Sequence, residues 1–310
     1  MKNQLQLAIA QVRPAYNDLG ASLQKLEQLT AEAARQGAEL LVFGETWLTG
    51  YPAWIDYLPE VALWDHEPTK AVFAQMQQNS LRIPSDESRF LEEVARKYEV
   101  HLVVGANEVS KTGTLYNVLL NISPQAGILV HHRKLMPTFS ERLLYGTGDG
   151  HGLQSVETPF GQLGGLICWE HWMPLTRQAM HQTGERVHIA VWPSVHEKHQ
   201  LASRHYAFEG RCFVVAVGQL LALSDMPGAL SLPEGLQENP EKWVLDGGSC
   251  VIAPDGTFVL EPQLGQEGLL YVTLPDLAKV EREKITLDVA GHYNRPDVFD
   301  FAASKKRLRT

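Results

Sequence analysis

One stretch concentrates the residue types that could do covalent chemistry: Gly164-Gly165-Leu166-Ile167-Cys168-Trp169-Glu170-His171-Trp172. An apolar run ends on a cysteine, and polar and aromatic residues follow at once. Leu163 to Ile167 reads as a buried strand in which two glycines allow close backbone approach. The residues from Met173 to Met180 read as the start of a helix. Cys168 is therefore expected on a strand-to-helix elbow, where the helix dipole and free N–H groups favour a thiolate. The plain alternative is a buried structural cysteine.

A nucleophilic thiol needs a partner to manage its proton, because a free cysteine with a pKa of about 8.5 is mostly un-ionised at neutral pH. A lysine nearby would favour the thiolate, and a carboxylate would take and return protons. Glu45 follows the apolar run Glu39-Leu40-Leu41-Val42-Phe43-Gly44. Lys134 follows the run Ile128 to His132, and Glu141 lies seven residues further on, in Thr138-Phe139-Ser140-Glu141-Arg142. Taken singly, each has an ordinary reading: a strand-end carboxylate, an edge-strand lysine, a surface glutamate. Taken together, Glu45, Lys134 and Cys168 each terminate an apolar strand, and in a stacked-sheet fold such ends gather on one rim. Two glutamates beside one lysine would hold the lysine charged and leave one carboxyl partly protonated.

The elements that must position these residues are legible from periodicity. Leu5 to Val12 reads as a strand, and Leu19 to Gln36 as an amphipathic helix with Leu23, Leu26, Leu29 and Ala33 on one face, stopped by Gly37. The strand before Glu45 completes a βαβ unit. An aromatic loop comes next, with Trp47, Tyr51, Trp54, Tyr57 and Trp64. Thr69 to Gln78 and Asp86 to Tyr98 read as helices, and His101 to Gly105 as a strand. Three hairpins then share a strand, proline, glycine, strand layout, turning at Pro124-Gln125-Ala126-Gly127, Pro159-Phe160-Gly161 and Pro254-Asp255-Gly256. Val187 to Trp192 and Cys212 to Val217 read as strands, with a helix from Ala202 to Glu209 between them. Leu223 to Leu245 has no clear period and reads as a long loop, a lid or an assembly insert. Most strands are apolar on both faces, which demands a covering layer on each side.

The chain of 310 residues fits one large domain or two modest ones, with 44% hydrophobic and 20% charged residues and a net charge of −9. Such an acidic balance argues against nucleic acid as a partner. The three cysteines, Cys168, Cys212 and Cys250, have no metal-ligand spacing and suggest a reducing, cytoplasmic setting. Cys212 and Cys250 sit in apolar strands and read as core fillers. No apolar run approaches the roughly 18 residues of a membrane span. Residues 1–300 are expected to form one domain, and 301–310 a short, solvated basic tail.

At these residues the chain resembles the nitrilase superfamily, and within it the nitrilase branch, from Leu5 to Asp297. The resemblance rests on Phe43-Gly44-Glu45-Thr46 with Gly50-Tyr51-Pro52, on His132-Arg133-Lys134-Leu135-Met136-Pro137-Thr138 continuing to Gly150, and on Cys168-Trp169-Glu170-His171-Trp172-Met173-Pro174. Gly291-His292-Tyr293-Asn294-Arg295-Pro296-Asp297 adds a fourth match. Gly44 departs from the proline usual in the family. The chain also stops soon after Asp297, where many nitrilases carry a longer tail, which weakens any expectation of spiral filaments. The resemblance implies an α/β fold, an αββα sandwich that pairs into a four-layer αββα-αββα homodimer or higher assembly. It implies Cys168 as nucleophile, Glu45 as general base and acid, Lys134 as the charge stabiliser and Glu141 as its positioner. It also implies a small-molecule nitrile as substrate, with no metal or organic cofactor. The pocket is expected to draw on Tyr51, Trp54, Trp169, His171, Trp172 and Pro193. An amidase or carbamoylase of the same superfamily is the nearest alternative. A metal-dependent hydrolase built on His188, His196, His199 and His205 is another, although His196-Glu197-Lys198-His199 lacks the spacing of a zinc-protease helix. A non-enzymatic protein that kept the fold is the third.

Overall fold

In the computed structural model, residues 2–228, 230 and 239–308 are described. Two sheets stack face to face. The first contains β1 (Leu5–Gln11), β2 (Leu40–Phe43), β3 (His101–Val109), β4 (Leu115–Ser123) and β5 (Gly127–Arg133) in sequence order. The second runs β6 (Val156–Thr158), β7 (Gly161–Ile167), β8 (Val187–Val191) and β9 (Phe213–Val217), then β11 (Trp243–Ile252), with β10 (Leu220–Ala222) on its edge and β12 (Phe258–Leu264) pairing with β11. The last strand, β13 (Gly268–Leu274), returns to the first sheet beside β1. The β1–β2–β3 and β7–β8–β9 neighbours are parallel, and the three expected hairpins are antiparallel.

Alternation along the strands sends side chains into two different cores. Leu5, Leu7, Ile9, Leu40 and Val42 point between the sheets, as do Leu163, Ile167, Ile189 and Val215 from the second sheet. Ala8, Ala10, Leu41 and Phe43 point the other way, against α1 (Leu19–Arg35). The helix Asp86–Tyr98, capped by Ser85, joins that outer layer through Leu91, Val94 and Ala95. The second sheet is covered by helices Pro174–His181 and Glu197–Gly210. The result is the αββα sandwich that the two-faced apolar strands demand.

Three boundaries differ from expectation, each for a physical reason. β3 runs four residues past Gly105 because its polar end is satisfied: Asn107 donates to Thr49 Oγ1, and Glu108 pairs with Arg133. The helix expected from Ala202 begins at Glu197, since its first turn is largely exposed and carries no apolar period for the sequence to display. The basic tail is not free: Arg307 pairs with Asp149, whose carboxylate also accepts from the Leu308 N–H. Of the expected loop from Leu223 to Leu245, residues 229 and 231–238 lie outside the described residues, while its start forms a 3-10 turn, Leu223–Asp225, and its end already belongs to β11. No helix among the described residues is long and apolar enough to cross a membrane.

Candidate active site

Three strand ends deliver the site. Cys168 directly follows β7, Lys134 directly follows β5, and Glu45 lies just beyond β2. All three side chains are buried, with Glu45 fully inaccessible. Two of these turns hold residues in the left-handed backbone region, Cys168 at φ 52° and Thr46, next to Glu45, at φ 52°. Such a conformation costs a non-glycine residue about 1–3 kcal/mol and persists only where the surroundings enforce it. One device that enforces it is Gly105 on β3. A Cβ there would stand 2.0 Å from the Gly44 carbonyl oxygen and 2.9 Å from Glu45 Cα, so only glycine lets the two strands close around the turn.

Lys134 Nζ donates to Glu45 Oε1 at 2.9 Å and to Glu141 at 2.9 and 2.7 Å. Glu141 Oε1 also accepts from the Tyr51 hydroxyl at 2.8 Å, and its Oε2 from the Thr138 N–H at 2.9 Å. Glu45 Oε1 accepts a further bond from Asn117 Nδ2 at 2.7 Å. Its other oxygen, Oε2, is buried with no hydrogen-bond partner. Ligand-type atoms of Glu45, Glu141 and Cys168 all lie within 4.8 Å of one another. This is the only such cluster of histidine, cysteine and acidic residues among the described residues, and the Lys134 ammonium already binds both of its carboxylates.

That crowding sets the electrostatics. Burial, opposed by Lys134 and reinforced by Glu141, pushes the Glu45 carboxyl up to about 7. Lys134 is held charged: burial works against it, but Cys168, Glu45 and Glu141 more than compensate. The Cys168 thiol is driven well above the ordinary range, first by burial and then by Glu45. Lys134 and the Trp169 backbone N–H, which bonds to the sulfur, work the other way. The expected resting thiolate is therefore corrected. Directly after β7 the chain makes only a short 3-10 turn, Cys168–Trp172, with two carboxylates close by, and burial and these carboxylates oppose the thiolate.

The remaining expected residues divide. Trp169 and Trp172 are partly exposed, with ring centroids 6.5 Å apart. Pro193 is half-buried, its carbonyl accepting from the Gln219 N–H. Trp54 is fully buried in an apolar cluster with Tyr51, Ile55 and Leu58. His171 is buried, with Nδ1 bonded to the Cys168 carbonyl and the ring stacked on Trp192. The four histidines of the metal alternative do not meet at one point: His188 is in the core, His196 bonds to Asp246 with its ring 6.2 Å from that of His199, and His205 is exposed. Cys212 and Cys250 are buried in the hydrophobic core.

A family model described as carbon-nitrogen hydrolase matches residues 6–282. The chain belongs to that family. Among relatives of this carbon-nitrogen hydrolase, a protein named nitrilase 2 from an unknown prokaryotic organism is 38% identical over 96% of this chain and 92% of its own length. Nitrilase 2 of Arabidopsis thaliana is 37% identical over 96% and 88%. An aliphatic nitrilase of Sinorhizobium fredii is 35% identical over 96% and 95%. The fold is that of a carbon-nitrogen hydrolase from Helicobacter pylori, with a TM-score of 0.72 at 17% identity over 96% and 97% of the two chains. Saccharomyces cerevisiae Nit3 is similar, with a TM-score of 0.71 at 19% identity over 95% and 98%.

Two residues that organise the site of this hydrolase do not stand out along the chain. Asn117 fixes Glu45 through its side chain and Lys134 through its carbonyl, which accepts the Lys134 N–H at 2.8 Å. Its signal was an amide inside the largely apolar run of β4, shared with Asn121 four residues on. Glu170 accepts from the Ile167 N–H, the Leu135 N–H and His132 Nε2, and so ties the cysteine turn to the lysine turn. Its signal was the three-residue spacing from Ile167, the reach of a side chain that caps a turn.

Proposed function

We propose that this enzyme hydrolyses a nitrile to the carboxylic acid and ammonia through covalent intermediates on Cys168. The observation that carries the reading is Glu45 Oε2: an unbonded, buried oxygen on a carboxyl raised to about 7, in a cluster whose ligand-type atoms lie within 4.8 Å of one another. Such a group can take a thiol proton and return it near neutral pH. The nitrile is carried over from the relatives named nitrilase.

Glu45 accepts the Cys168 proton as the sulfur attacks the nitrile carbon, and delivers it to the nitrogen to give a thioimidate. Lys134 and the Trp169 N–H stabilise the negative charge that develops. Glu45 then deprotonates a water, which adds to the same carbon. Protonation of the nitrogen expels ammonia and leaves a thioester. A second water, activated in the same way, releases the acid and restores the thiol. Glu141, bonded to Lys134 and Tyr51, holds the ammonium in place. Trp169, Trp172, Trp54 and Pro193 are assigned to the substrate pocket. The protein is assigned a homodimeric or higher assembly, which size-exclusion chromatography with light scattering tests.

The deciding experiment incubates the purified protein with a panel of aliphatic and aryl nitriles and measures acid and ammonia together. Equimolar acid and ammonia are expected. Ammonia released from amides, with every nitrile untouched, overturns the assignment in favour of an amidase.

A further inference from the structure

The backbone carbonyl of Cys168 meets a second polar cluster, which the proposed reaction does not use. His171, His188, Glu185 and Tyr206 are all buried. His171 Nδ1 lies 2.7 Å from the Cys168 carbonyl oxygen, and His171 Nε2 lies 3.0 Å from His188 Nε2. His188 Nδ1 is 2.7 Å from Glu185 Oε1, and the Tyr206 hydroxyl donates to Glu185 Oε2 at 2.5 Å. The rings are clamped as well: His171 stacks on Trp192 with centroids 4.8 Å apart, and His188 on Tyr206 at 3.8 Å. Gly164 on β7 makes room for the chain, since a Cβ there would stand 1.8 Å from Glu185 Oε1.

The protons in this chain are fixed by what each atom can do. A carbonyl oxygen only accepts, so His171 Nδ1 carries a hydrogen. Burial, with His188 alongside, pushes His171 well below the ordinary imidazole range, so its Nε2 is bare. Nε2 must then accept, and His188 Nε2 must donate. Without His188 as donor, the His171 proton could move to Nε2, and the lone pair on Nδ1 would then face the carbonyl oxygen and repel it.

We propose that His171 is a positioning residue that holds Cys168 in its left-handed backbone conformation through the carbonyl, with His188 and Glu185 fixing its tautomer. The proposal deepens the reading of Cys168 as the nucleophile. It predicts that the elbow, and with it the sulfur and the Trp169 N–H, loses its aim when the donor at Nδ1 is lost.

Two pairs of variants test it. His171→Leu removes the donor, whereas His171→Asn places an amide N–H near the position of Nδ1. His188→Leu removes the tautomer lock, whereas His188→Gln can still donate. Turnover of a nitrile is measured beside the rate of iodoacetamide alkylation at the Cys168 peptide, which needs no nitrile and separates failure of the proposal from failure of the substrate assignment. For His171→Leu, kcat is expected to fall about 30- to 100-fold with KM within about threefold, the scale of a misplaced reacting group, and alkylation to slow about tenfold. His171→Asn recovers both to within about threefold of the parent, and the His188 pair repeats the pattern more weakly. The proposal is overturned if folded His171→Asn is as impaired as His171→Leu, or if His171→Leu matches the parent in both rates. Should His171→Leu fail to fold, the His188 pair decides by the same comparison.

Discussion

Glu170 and Glu45 are both fully buried, yet their oxygens are treated in opposite ways. Glu170 receives two backbone N–H groups and an imidazole, and these bonds, with His132 foremost after the cost of burial, hold its carboxyl below the usual range. Glu45 keeps one oxygen without a partner, stands beside a second carboxylate, and is raised to about 7. Burial alone therefore does not separate a scaffold carboxylate from a reacting one. The separation comes from how completely the neighbours satisfy the charged form. The saturated glutamate joins the turns that carry Cys168 and Lys134, and the unsaturated one is left free to exchange a proton.

The contrast is broken most completely at the sulfur both regions serve. Cys168→Ala should remove turnover by about 10⁶-fold while the circular dichroism spectrum is unchanged. Next comes the base. Glu45→Gln should lower kcat by about 10³-fold, within the range for loss of a general acid–base. Its melting temperature should match or exceed the parent, because burial makes the charged carboxyl costly near neutral pH and the amide oxygen of Gln can still accept from Lys134 and Asn117. The mirror experiment is Glu170→Ala. It leaves two buried N–H groups and His132 without an acceptor, and should destabilise the protein by about 3 kcal/mol in urea unfolding. If Glu45→Gln unfolds the chain and Glu170→Ala does not, the two roles are assigned the wrong way round.

A finer test uses pH. The base must be ionised to take the thiol proton, and its carboxyl lies near 7, so kcat/KM should rise as pH increases through about 7. A flat profile from pH 5 to 8 would remove Glu45 as the proton acceptor. The smallest expected effect is at the hinge of the Glu45 turn. Gly105→Ala must push β3 away from the Gly44 carbonyl, and should cost about 1–3 kcal/mol of stability, read as a lower melting temperature.

The residues themselves determined much of this. Strands that are apolar on both faces force a four-layer packing, and an apolar run that stops on Cys168, on Lys134 or just before Glu45 marks a rim. Their periodicity and punctuation are local properties, so they are legible along the chain. Only the tertiary structure decided the proton state and direction of each polar group. The helix-end argument for a thiolate at Cys168 is opposed first by burial and then by two carboxylates from distant segments, and no local pattern records either. His171 looked like a pocket residue from its place beside Trp172. The fold adds a three-residue reach back to the Cys168 carbonyl, completed by His188 from β8. Spacing along the chain fixes which residues share an end of a sheet. Charge, burial and hydrogen-bond satisfaction are sums over neighbours that only folding brings together.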